Sequence, residues 1–209
     1  ENILAEPAAR NTAPCVAWAG WRILQKDPDA NIVVTPADAV ILNVSLFRTI
    51  ISEALNYTRD TDAIVTLGIV PNRPETGYGY VEVADSIIGN VHKVASFREK
   101  PDLETAKRYI QQNNFFWNAG IFVWSVSTIV NAFRIYAPAI SKVFEGLLNV
   151  YGTDKEQEMI DKLYPECEKI SVDYAIMEKA EEIFVCPADF GWSDLGSWSS
   201  LLMHTHHDL

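Results

Sequence analysis

Cysteine is scarce in this sequence. Cys15, Cys167 and Cys186 are the only three in 209 residues, far apart and odd in number. They form neither a disulfide framework nor a metal-binding spacing, so the expected setting is a reducing cytoplasm with buried or idle thiols. No apolar run is long enough to span a bilayer, and no stretch reads as a secretory leader. Positive charge is also in deficit, with 17 Lys and Arg against 28 Asp and Glu, a net charge of −11. That argues against a nucleic-acid groove or an anionic membrane surface as a general partner. A nucleotide is not excluded, because a few local cations and a metal can hold phosphates on an acidic protein. Internal repeats, low-complexity segments and linkers are absent. The chain starts without Met, so it is expected to begin inside a longer protein.

Hydrophobic residues make up 48% and charged residues 22%, which fits one soluble globular domain over residues 1–209. A short strand is expected at Asn2 to Ala5, followed by a polar loop. Apolar residues at Ala13, Val16, Ala17, Gly20, Trp21 and Leu24 then have helical spacing, with Thr12 placed to cap the helix and Pro14 in its first turn. Ile32 to Thr35 reads as a strand of the buried, parallel-sheet kind, and it runs into Pro36-Ala37-Asp38. Further strands are expected at Ala63 to Val70, Val81 to Val83, Val91 to Phe97 and Ile183 to Pro187. An aromatic-rich run spans Phe115 to Trp124. Helices are expected at Ser45 to Tyr57, Leu103 to Ile110, Ser127 to Tyr136, Ile140 to Val150, Lys155 to Leu163, Ser171 to about Ala180 and Ser197 to Met203. Phe190 to Trp198 reads as a loop, and His204, His206 and His207 as a frayed tail. The alternation predicts an α/β layered, Rossmann-like fold with a mostly parallel sheet flanked by helices.

Three acidic positions fall at strand ends: Asp38, Glu99 and Asp194. In open α/β sheets the ligand crevice lies beyond the carboxyl ends of strands. Glu99 and Lys100 sit side by side at a strand-to-helix turn, where Asp102 can cap the helix. Taken alone, that pair reads as solvated turn charges. At a crevice, however, a Glu can accept from sugar hydroxyls and a Lys can meet a phosphate. Two aspartates converging on one site suit Mg²⁺, which takes carboxylates plus substrate phosphate oxygens. Taken singly, each of these aspartates also reads as a turn residue or cap. Gly77 and Gly79 permit close backbone approach to a ligand, and Asn118 inside an apolar run needs partners for its amide.

Six stretches, in order, resemble the sugar-1-phosphate nucleotidyltransferases, and among them the mannose-1-phosphate guanylyltransferases. They are Glu6-Pro7-Ala8-Ala9-Arg10-Asn11-Thr12-Ala13-Pro14, Thr35-Pro36-Ala37-Asp38, Thr76-Gly77-Tyr78-Gly79-Tyr80, Phe97-Arg98-Glu99-Lys100-Pro101, Phe116-Trp117-Asn118-Ala119-Gly120-Ile121-Phe122 and Gly191-Trp192-Ser193-Asp194-Leu195-Gly196-Ser197-Trp198. The resemblance implies a GT-A-like nucleotidyltransferase domain that moves GMP from GTP to mannose-1-phosphate. By that resemblance Asp38 and Asp194 hold Mg²⁺, and Lys100 meets the sugar phosphate. Glu99 and Asn118 bind sugar hydroxyls beside Gly79, with Asp173 in support. Arg10, Asn11 and Thr12 lie on the nucleotide side.

Two departures accompany it. Ala39 stands where the family usually has His, and no stretch matches the family's N-terminal Gly-rich triphosphate loop. The domain is therefore expected to be truncated at its N-terminal side and inactive alone, with a homo-oligomer as one expected association. Glucose-1-phosphate with UTP or dTTP, or a non-catalytic sugar-nucleotide-binding module, remain open as alternatives.

Overall fold

The computed structural model describes residues 3–195. The elements are α1 (Thr12–Lys26), β1 (Asn31–Val34), β2 (Ala39–Ile41), α2 (Val44–Arg59), β3 (Ile64–Ile69), β4 (Tyr80–Ile88), β5 (Val91–Arg98), α3 (Leu103–Gln111), β6 (Phe115–Ser125), α4 (Val126–Tyr136), α5 (Pro138–Glu145), α6 (Glu156–Leu163), β7 (Ile183–Ala188) and β8 (Trp192–Asp194). A six-stranded sheet in the order β1-β6-β3-β7-β5-β4 forms the middle layer, and β6 also pairs with β4. Strands β2 and β8 make a separate two-stranded ribbon.

Period-two alternation in the central strands divides the core between the two sheet faces. Ile64, Phe122, Trp124, Ile183 and Val185 pack with α1, α4 and α5 through Trp21, Phe133 and Phe144. Val65, Leu67, Ile121, Val123, Phe184 and Cys186 point the other way, onto Ile50, Ala54 and Ala106 of α2 and α3. Every residue of β3 is buried, as a strand covered on both faces requires.

The α/β class and the helix-flanked central sheet agree with the sequence reading, but the mostly parallel pairing does not. Among the described residues only β3 and β7 pair in parallel. β6 runs antiparallel between β1 and β3, and β5 runs antiparallel between β7 and β4. Apolar patterning reports burial, and β3 is buried whichever way its neighbours run.

Four local expectations are also corrected. Residues 3–5 join no sheet. The Thr12 hydroxyl does not cap α1; it accepts from the Val172 N–H at 2.9 Å, and Asn11 is the residue before the helix, with φ 64° and no capping bond. The helix expected from Ser171 is a single π-type turn, Asp173–Met177. The loop expected from Phe190 contains β8. Asp102 does cap α3, accepting from the Thr105 N–H at 2.8 Å. The expected helix at Ser197 to Met203 and the histidine tail lie outside the described residues.

Candidate active site

A cleft of about 220 Å³ opens where β4, β5 and β6 meet the β2–β8 ribbon. Its walls include Asp38, Gly79, Glu99, Asn118, Asp173 and Asp194, with Tyr78, Gly120, Pro36 and Trp192 between them. Residues from six separate stretches of sequence thus share one concavity.

β6 supplies the floor. Between Gly68 and Thr66 of β3, the partner residues on β6 run from Asn118 to Phe122, so β6 bulges by two extra residues there. Gly120 takes φ 67° within this bulge, a conformation glycine adopts without strain. The bulge lets the Asn118 side chain curl back, and its Oδ1 accepts from the Gly120 N–H at 3.1 Å and from the Thr66 hydroxyl at 2.8 Å. Its Nδ2 donates to Asp173 Oδ1 at 3.0 Å. The amide oxygen and one amide hydrogen are therefore bonded, and the second amide hydrogen has no protein acceptor among the described residues.

Glu99 directly follows β5, with its side chain 9% exposed and its Oε1 at 3.0 Å from Lys100 Nζ. The Glu99 N–H donates to Glu178 Oε1 at 3.1 Å. Lys100 itself is exposed, with its backbone at φ 47°. Burial, with the nearby Asp173 charge second, pushes the Glu99 carboxyl above its usual range, against the pull of Lys100. Burial also raises Asp173, while the Asn118 amide and Lys100 oppose the rise. Gly79 permits this crowding. Its carbonyl accepts from the Asn118 N–H at 2.8 Å, and a Cβ there would lie 2.5 Å from Glu99 Oε2.

Of the two remaining acids, Asp194 ends β8 of the ribbon and Asp38 immediately precedes β2. Ala39 pairs with Asp194 across β2 and β8, which brings Asp38 to the same rim as Asp194. The Tyr78 hydroxyl donates to Asp194 Oδ1 at 2.5 Å. Burial first, then this bond, push the Tyr78 phenol above its usual value. Among the described residues no group of three or more His, Cys, Asp or Glu side chains could hold a metal. A pair of carboxylates suits a hard divalent cation that completes its shell with water and phosphate oxygens.

Arg10, Asn11 and Thr12 are not among the cleft walls. Arg10 donates to the Pro165 carbonyl, and the Thr12 and Ala13 contacts to Val172 and Ile170 anchor the segment that carries Asp173. The sequence reading gave no role to Thr66 or Tyr78. A lone hydroxyl in an otherwise apolar β3 was the available signal for Thr66, and an aromatic ring between Gly77 and Gly79 was the signal for Tyr78.

A family model described as nucleotidyl transferase matches residues 1–209. The mannose-1-phosphate guanylyltransferase of Escherichia coli (strain K12) is 38% identical over 208 residues, covering 96% of this chain and 43% of that protein. The chain thus spans less than half the length of such curated relatives. A crystal structure from Thermus thermophilus, described as a mannose-1-phosphate geranyltransferase, matches with a TM-score of 0.85 at 32% identity, covering 95% of this chain and 56% of that one. A Helicobacter pylori structure described as a mannose-6-phosphate isomerase has a TM-score of 0.75 at 24% identity, covering 90% of this chain and 72% of its own, and shares the fold.

Proposed function

The chain belongs to the nucleotidyl transferase family, and from that premise we propose that its cleft is the sugar-phosphate side of a mannose-1-phosphate guanylyltransferase. The family implies a nucleoside triphosphate and a sugar-1-phosphate as substrates; GTP and mannose-1-phosphate are the proposed pair. The observation that carries this reading is the convergence of Glu99, Asn118, Asp173, Gly79, Asp38 and Asp194 on one cleft.

In the proposed reaction a phosphate oxygen of mannose-1-phosphate attacks the α-phosphorus of GTP. The new P–O bond forms as the bond to the β-phosphate bridge breaks, and pyrophosphate leaves. Little covalent chemistry falls to the protein, so positioning and charge stabilisation do the work. Asp38 and Asp194 would hold a divalent cation, proposed as Mg²⁺, which neutralises charge on the phosphate oxygens when bound. Lys100 is not itself among the cleft walls, but it is exposed and paired with Glu99 of the wall at 3.0 Å, from where it would meet the sugar phosphate as a point charge. Glu99 accepts from sugar hydroxyls, and the spare amide hydrogen of Asn118 donates to one. Asp173 is held by Asn118 and supports the same wall. Arg10, Asn11 and Thr12 are proposed for the nucleotide side, where Asn11 and Thr12 are exposed at the start of α1. The three free cysteines suit the proposed cytoplasmic setting.

Calorimetric titration of mannose-1-phosphate into this chain tests the reading. Binding is expected to weaken at least about tenfold in Lys100→Ala, the loss of one charge-assisted contact. Equal affinity for glucose-1-phosphate would overturn the choice of sugar. Unchanged affinity in Lys100→Ala would overturn the site.

A further inference from the structure

We propose that Tyr78 is a positioning residue for the cation site, holding Asp194 in place through its phenol. This rests on the reading of Asp194 as a cation ligand.

Asp194 is poorly anchored by its own secondary structure. β8 is three residues long and, among the described residues, pairs only with the three residues of β2, outside the six-stranded sheet. Two-stranded ribbons are marginally stable by themselves. A ligand carried on such a ribbon needs an outside support to stay within bonding distance of a cation.

Tyr78 supplies it from a distant stretch of chain. Its hydroxyl donates to Asp194 Oδ1 at 2.5 Å across a separation of 116 residues. The ring is fixed on two sides. It meets Trp117 of β6 edge-on, with centroids 5.2 Å apart, and Trp192 of β8 at 5.3 Å. One tyrosine therefore touches the main sheet through Trp117 and the ribbon through both Trp192 and Asp194. Arg73 braces the arrangement, its guanidinium 5.0 Å from the Trp117 ring and 5.8 Å from the Tyr78 ring. Glu75 anchors that guanidinium at 3.2 Å.

The direction of the bond also matters. The phenol gives a hydrogen to one lone pair of a carboxylate that has about four acceptor sites, so Asp194 keeps capacity for a cation. Partners of this kind orient a ligating carboxylate, and losing one typically costs about 10–100-fold in metal affinity.

Mn²⁺ binding to this chain, followed by electron paramagnetic resonance, provides the test, with Tyr78→Phe, Asp194→Asn and the double variant compared. Tyr78→Phe keeps the ring and its packing. The expected result is a roughly tenfold weaker Mn²⁺ affinity in Tyr78→Phe, with mannose-1-phosphate affinity measured without metal staying within about twofold. Asp194→Asn should weaken Mn²⁺ more, and adding Tyr78→Phe to it should cost nothing further. Unchanged Mn²⁺ affinity in Tyr78→Phe, with Asp194→Asn still impaired, would overturn the positioning role alone. So would an equal loss of Mn²⁺ and sugar-phosphate affinity, or of thermal stability, since that marks general loosening. Mn²⁺ binding indifferent to Asp194→Asn would overturn the cation reading, and the role of Tyr78 with it.

Discussion

The Asn118 amide donates to the Asp173 carboxylate at 3.0 Å, joining β6 to a π-type turn 55 residues further on. The same amide oxygen takes the Thr66 hydroxyl. Asn118→Leu preserves bulk but takes the donor from the Asp173 carboxylate and leaves the Thr66 hydroxyl only its longer bond to the Ile121 carbonyl, at 3.3 Å. The expected cost is about 2–3 kcal/mol. Circular dichroism melts should show a midpoint roughly 4–12 °C lower. A midpoint equal to the parent's would mean that the amide does not hold these two groups.

Gly79→Ala tests the crowding at the proposed sugar wall. The new methyl would lie 2.5 Å from Glu99 Oε2 and 3.3 Å from Asn118 Cβ, so the carboxylate must move. Mannose-1-phosphate affinity should fall by about tenfold or more, because one charge-assisted contact is worth about 1.5–3 kcal/mol. Calorimetry checks this, and parent-like affinity would show that Glu99 is not a contact.

Stability should fall with rising pH through the carboxyl pair. Glu99 and Asp173 both titrate above their usual values, so the folded chain keeps protons that the unfolded chain has already released. Their stabilisation is complete below the ordinary carboxylate range and is lost as pH climbs through the raised values. Glu99→Gln removes one titrating member and should flatten that decline. Urea midpoints measured across the interval decide it, and parallel curves for parent and variant would contradict the linkage.

Glu156 provides a contrast away from the cleft. This acid, 8% exposed, accepts from Trp18 Nε1 at 3.2 Å and from the Gly152 N–H at 2.7 Å, and it pairs with Arg22 at 3.2 Å. Glu156→Ala leaves these donors without an acceptor and should cost about 3 kcal/mol. Denaturant unfolding should show the loss, while sugar-phosphate affinity per folded molecule stays at the parent level. A drop in affinity would show that the helical layer communicates with the cleft.

Much of this architecture was legible in the residues. The helices at Ser45 and Leu103 and the strands at Ala63 and Val91 lie within a few residues of their observed bounds, because long apolar periods report burial directly. Asn118 stood out because a buried amide needs partners, and the structure supplies them. Strand direction was not legible, since β6 reads the same whether it runs up or down between β1 and β3. Thr12 looked like a cap because capping is local, whereas its actual partner, Val172, lies 160 residues away. The hydroxyl of Tyr78 was invisible for the same reason: its partner Asp194 is distant in sequence, and no local pattern encodes the bond.

One strand has a consequence for how this protein can change over generations. β6 pairs with β1, β3 and β4 and carries the bulge that aims Asn118. Inserting or deleting one residue there would turn alternate side chains to the wrong face and break three registers together. The stretch between β3 and β4, which holds Arg73 and Tyr78, has no such obligation along most of its length and sits over the same cleft. New substrate preferences should therefore arise by altering that loop, with β6 inherited at constant length.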